Sequence, residues 1–150
     1  MLPNLLKSEQ RPIEIQISME LSSEAPGVAK KWPSDIYFFL NDVKLGYWTS
    51  PGDFGDVKGV YTPDWWFPNW NQYGLLKLLS INEEGTFLDG LKISDVTISS
   101  LEIDSKSEMR LKLLVPTDTE NVGGITIFGS RFGNYNQDIR VRVFYNEEEK

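Results

Sequence analysis

Ile13-Glu14-Ile15-Gln16-Ile17-Ser18-Met19-Glu20 alternates apolar and polar side chains without a slip. A period of two is the pleat of a β-strand, so Ile13, Ile15, Ile17 and Met19 are expected on a core face and the residues between them in water. The same alternation returns in residues 109–115 around Arg110 and Lys112, and in residues 138–145 around Arg140 and Arg142. Residues 35–41 and 43–49 are rich in β-branched and aromatic side chains. They join through Asn41-Asp42, a pair that tolerates positive φ, which predicts a hairpin. Further strands are expected over 75–82, 86–88, 91–93, 96–103 and 122–128, punctuated by Glu84-Gly85, Asp89-Gly90, Gly123-Gly124 and Gly133-Asn134. Leu75-Leu76-Lys77-Leu78-Leu79 also fits a helical spacing, but Gly74 before it and its shortness favour a buried strand. Many short strands with Gly and Pro turns predict an all-β chain, an antiparallel β-sandwich whose simplest form is a jelly roll.

Composition narrows the chemistry. The 150 residues suit one domain, which can bury about 70% of its unfolded surface. The expected layout is a linker or leader over 1–11, a single domain over 12–145 and a disordered acidic tail over 146–150. With 40% hydrophobic and 25% charged residues and a mean hydropathy of -0.33, the chain reads as soluble and globular. It contains neither histidine nor cysteine. A serine-histidine triad, a cysteine nucleophile, histidine or cysteine metal sites and disulfides are therefore excluded within it. A net charge of -7 and a pI near 4.6 repel a phosphate backbone, so no direct nucleic-acid binding is expected. The longest apolar run, residues 36–40, is far short of the 18 or so residues of a membrane helix, and no membrane partner is expected. Residues 1–11 lack the basic-then-apolar layout of a secretory signal, which points to the cytoplasm.

Two stretches interrupt the strand rhythm. Residues 50–73 carry Pro51, Gly52, Gly55, Gly59, Pro63 and Pro68, yet also Phe54, Tyr61, Trp65, Trp66, Phe67, Trp70 and Tyr73. A connection this long is functional or disordered, and its aromatics argue against disorder. Trp65, Trp66, Trp70 and Tyr73, with Trp32 and Trp48 nearby, are what a sugar-binding face needs: flat rings for the apolar faces of pyranoses, with Asp and Asn beside them for the hydroxyls. Packing at the end of the sandwich is the competing account of each ring. The second stretch, residues 128–136, combines glycines with Arg131, Asn134 and Tyr135, which suit a carboxylate or hydroxyl, or else only a strand bend. The two loops are expected to meet and enclose a pocket, with Asp53, Arg131 and Asn134 orienting the ligand and Trp65 and Trp66 diverging, one to the pocket and one to the core.

Carboxylate pairs are less informative. Asp53 and Asp56 flank a Gly-rich turn and suit a calcium ion, but turn chemistry explains them and no metal is expected. Glu83 and Glu84 are adjacent and point to opposite faces of a strand, so they make a turn rather than a glycosidase pair.

Trp32-Pro33-Ser34-Asp35, Gly46 to Gly55, Gln72 to Lys77, Asn82 to Phe87, Val122 to Ile125 and Phe132 to Tyr135 resemble the C-terminal region of bacterial ArsR-type transcriptional regulators. The similarity runs from about Ile15 to Phe144. The winged helix of that family is not in this sequence, so the resemblance implies regulation through an attached DNA-binding domain in a longer protein. It implies no particular ligand.

Together these readings predict the effector-binding, or sensory, domain of a transcriptional regulator. Its expected partner is a small molecule, a carbohydrate or similar polyhydroxy ligand. No catalytic residue and no cofactor are expected. The alternatives are a structural or dimerisation module, with the aromatics forming a protein interface, and a carboxylate-based glycan hydrolase.

Overall fold

The computed structural model describes residues 1–147. Those residues form an antiparallel all-β sandwich of nine strands: β1 (Gln10–Glu24), β2 (Ser34–Leu40), β3 (Val43–Ser50), β4 (Leu75–Asn82), β5 (Gly85–Leu88), β6 (Leu91–Ser94), β7 (Leu111–Leu114), β8 (Gly124–Phe128) and β9 (Arg140–Glu147). The larger sheet has the order β6-β5-β4-β1-β8, with β9 also on β1, and the smaller one the order β3-β2-β7. The expected jelly roll, eight strands in two Greek keys, finds no confirmation in this unequal division.

β1 is the spine of the larger sheet. On one edge it pairs with β4; on the other, residues 10–18 pair with β9 and residues 20–24 with β8. β8 and β9 are thus one long strand path interrupted beside Met19 and Glu20 by the excursion 129–139. Ile15, Ile17, Met19 and Leu21 face inward with Leu79 and Ile81, against Ile36, Phe38, Leu40 and Leu45 of the smaller sheet. All of these are essentially inaccessible to solvent. Ile13, expected among them, is instead 42% exposed. Pro12 has no amide to donate to the ladder, and the register with β9 slips between Pro12 and Glu14. The hairpin turn is as expected, with Asn41 and Asp42 both at positive φ, 49° and 65°.

Other expectations change. Residues 96–103 are not a strand: Ser99–Leu101 is a 3-10 turn. Thr97 and Ser100 bond each other's backbone, which offers an alternative to a sheet ladder, and Ile98, Leu101 and Ile103 still reach the core. β4 is a strand but not buried on both faces, since Leu76 and Leu78 are exposed. Glu83 and Glu84 lie in the tight turn between β4 and β5. Residues 1–11, read as a linker, pack onto the domain: Leu6 joins the core, Leu2 bridges to Met109, and Gln10 begins β1. Of the expected disordered tail, Asn146 and Glu147 continue β9, paired with Arg11 and Gln10, while 148–150 lie outside the described residues.

Candidate ligand-binding cleft

Alternation along β1 sends Ser18, Glu20, Ser22 and Glu24 to the outer face of the larger sheet, toward water. Glu20 is nevertheless only 1% exposed and Ser22 is fully buried. Two loops roof them. Glu20 Oε2 accepts the amides of Gly74 at 2.8 Å and Asn134 at 3.0 Å, and Oε1 accepts the amide of Tyr135 at 3.2 Å. A carboxylate suits this place because it is an acceptor at every lone pair, and charge strengthens each bond. Gly133 sits at φ 69°, where any Cβ would overlap the Glu20 carboxylate.

The loops also hold each other, as expected. Tyr61 donates its amide to Gly133 O at 2.8 Å, Val60 donates to Asn134 Oδ1 at 2.9 Å, and Gly133 donates to Thr62 Oγ1 at 3.0 Å. Phe132 stands edge-on to Trp65 and Trp66, with centroids 5.7 and 5.3 Å away. The neck of the longer loop is closed by a bridge between Phe54 and Tyr73, whose rings stack at 5.3 Å. Tyr73 donates its hydroxyl to Asp56 Oδ1 at 2.6 Å. That bond first, then burial and the Asp56 charge, push the phenol up to about 12.

Asn71 ties this loop to the sheet beneath. Its Nδ2 donates to Ser22 Oγ at 2.7 Å and Thr126 Oγ1 at 2.8 Å, its Oδ1 accepts the Phe54 amide at 3.2 Å, and its carbonyl accepts Trp66 Nε1 at 2.9 Å. Trp66 and Trp70 are thereby set edge to face at 4.8 Å and 75° above the end of β1 and β8. Between the rings and β8 opens a cleft of about 550 Å³, lined by Trp66, Trp70, Asn69, Asp53 and Glu24 as well as the Asn71 anchor. Its size is that of a small-molecule site. A smaller recess of about 310 Å³ lies beside Trp66, between Asp56 and Gln72.

Asp53 is the buried carboxylate among the residues that line the 550 Å³ cleft. It is 1% exposed; Oδ2 accepts the Ala25 amide at 3.1 Å, and Oδ1 is buried with no hydrogen-bond partner among the described residues. Burial raises its carboxyl above the ordinary value; the Ala25 amide opposes this and the Glu24 charge adds to it. An unsatisfied buried oxygen on an ionisable group costs roughly 1 to 3 kcal/mol or more. Such a cost is tolerated most readily where a ligand relieves it.

Of the residues expected to bind ligand, Asp53, Trp66 and Trp70 line this cleft. Trp65 is 68% exposed, in contact with Trp66 and Phe132, so neither ring of the adjacent pair enters the core. Trp48 packs against the core instead, with Lys77 Nζ 4.4 Å over its ring. Trp32 donates its amide to Pro51 O at 3.0 Å and lies beside Gly123. Tyr73 closes the loop neck, while Asn134 and Tyr135 spend their amides on Glu20. Arg131 occupies a turn at φ 69°, its amide on Asn136 Oδ1 at 2.8 Å. Residues 129–136 therefore brace the aromatic loop without walling the cleft.

Glu24, Asn69, Asn71 and Thr126 were not singled out by sequence. Glu24 had a signal, because the period of two that places Glu20 continues to it. Asn69 and Asn71 flank Trp70, but nothing local distinguishes an anchor from a ligand group. No family model matches this chain, and no curated protein or solved structure matches it either.

Proposed function

We propose that this chain is a binding module, not an enzyme, whose cleft takes a small polyhydroxy ligand of the carbohydrate class. The observation that carries this reading is the pairing of Trp66 and Trp70 with Asp53, Glu24 and Asn69 around one 550 Å³ cleft. Indole faces stack on the C–H faces of a sugar ring, and carboxylates and amides take its hydroxyls. In a longer, cytoplasmic protein the module acts as the sensory domain of a transcriptional regulator. That part rests on the resemblance to ArsR-type regulators, whose winged helix would supply the DNA contact that this acidic chain cannot.

A panel of monosaccharides and short oligosaccharides, read by tryptophan fluorescence and thermal shift, tests the proposal. A native-state ligand must raise Tm in proportion to its saturation. Trp70→Ala, with its ring 43% exposed, is expected to weaken binding about tenfold while the fold persists. If no sugar raises Tm, or if Trp70→Ala binds as the wild type does, the reading is wrong. One observation favours hydrolysis as a second reading: Glu24 and Asp53 line the same cleft, as an acid and a base or nucleophile must. Reducing ends released from an oligosaccharide, and lost in Glu24→Gln, would establish it in place of binding alone.

A further inference from the structure

We infer that the ligand of the cleft carries a protonated amine, making it an amino sugar rather than a neutral one. The inference rests on the cleft being a carbohydrate site and specifies which sugars it takes. Asp53 and Glu24 both line it, and among the described residues no lysine or arginine does. The nearby Lys30 is engaged elsewhere, 3.3 Å from Asp56. A cleft with two carboxylates and no basic group attracts a cation, and the effect is strongest where burial has removed water from Asp53.

The rings point the same way. The faces of Trp66 and Trp70 carry the negative part of the indole quadrupole, which holds an organic ammonium as well as a C–H face. A divalent metal fits poorly, because it needs several more oxygen ligands than two carboxylates beside two indoles provide. Asp53 lines the cleft while its Oδ1 is buried and without a hydrogen-bond partner among the described residues, and a carboxylate bonds an ammonium more strongly than a neutral hydroxyl.

The test is a fluorescence titration of the full chain at neutral pH with D-glucosamine, N-acetyl-D-glucosamine, D-glucose and ethanolamine. N-acetylation removes the charge and keeps the ring. D-glucosamine is expected to bind about tenfold more tightly than either neutral sugar. Added salt should narrow that gap. Asp53→Asn should weaken D-glucosamine binding more than D-glucose binding and so abolish the preference, whereas an undiminished preference in this variant overturns the inference. Glu24→Gln, at the exposed rim, is a second variant without risk to the core, and should reduce the preference in part. Equal affinity for D-glucosamine and D-glucose overturns the inference and leaves the carbohydrate reading standing. Ethanolamine binding as tightly as D-glucosamine, with neither neutral sugar binding, overturns the sugar reading and the amino-sugar assignment with it. Binding by none of the four overturns both.

Discussion

Asp35 and Asp53 are both buried aspartates, and their surroundings drive them in opposite directions. At Asp35 burial alone would raise the carboxyl, but hydrogen bonds from Thr49 at 2.6 Å, Thr119 at 2.7 Å and the amide and side chain of Asn121 at 3.0 and 3.1 Å outweigh it and hold the value down to about 2. A carboxyl lowered by folding stabilises the protein above its unfolded value of 3.8 and loses that contribution as the pH falls through its folded value. Wild type is therefore expected to exceed Asp35→Asn by about 2 kcal/mol at neutral pH. Thermal melts of the two should converge as the pH falls toward about 2. Asp53 has no comparable set of donors. Its raised carboxyl opposes folding where it is ionised. From sequence these two aspartates were not distinguishable in this respect, because each donor to Asp35 other than the hairpin partner Thr49 comes from more than eighty residues away.

At the scale of elements, strands were far more legible than loops. The hairpin, β4 and the inward face of β1 follow from side-chain period and from a turn pair that accepts positive φ. The failures have local causes that periodicity does not register: a proline-marked register slip exposes Ile13, and serine and threonine side chains turn residues 96–103 out of the ladder. The tryptophans separate in the same way. Trp48 sits on β3 opposite Ile36 and packs on the core, whereas Trp65 lies in the long loop with its ring 68% exposed. Trp48→Ala is expected to cost about 3 kcal/mol or more through the cavity it leaves. Trp65→Ala should cost only about 1 kcal/mol through its two ring contacts. Urea titrations of the two variants check the contrast.

For the whole molecule, β1 does two things at once: its inner face carries the core and its outer face carries the loops. Glu20 joins the two roles, since it belongs to the central strand yet holds Gly74 and residues 134–135, 54 and 114–115 positions away. Loss of the aromatic roof and loss of the sheet are therefore coupled, and unfolding followed by tryptophan fluorescence and by far-UV circular dichroism is expected to coincide. Glu20→Ala leaves the buried Gly74 amide and the part-buried amides of Asn134 and Tyr135 without their acceptor and should cost about 3 kcal/mol. It should also separate the two transitions, the fluorescence change coming first. Amino-acid order alone determined the all-β class, the hairpin, the inward face of β1 and the absence of histidine and cysteine chemistry, because these depend on neighbours within a strand or on composition. Only the tertiary structure decided which outward residues are roofed, which tryptophans line a cleft, and that Glu24 and Asp53 share it. Those outcomes depend on hydrogen bonds and ring contacts between distant segments, which impose no period on the chain that makes them.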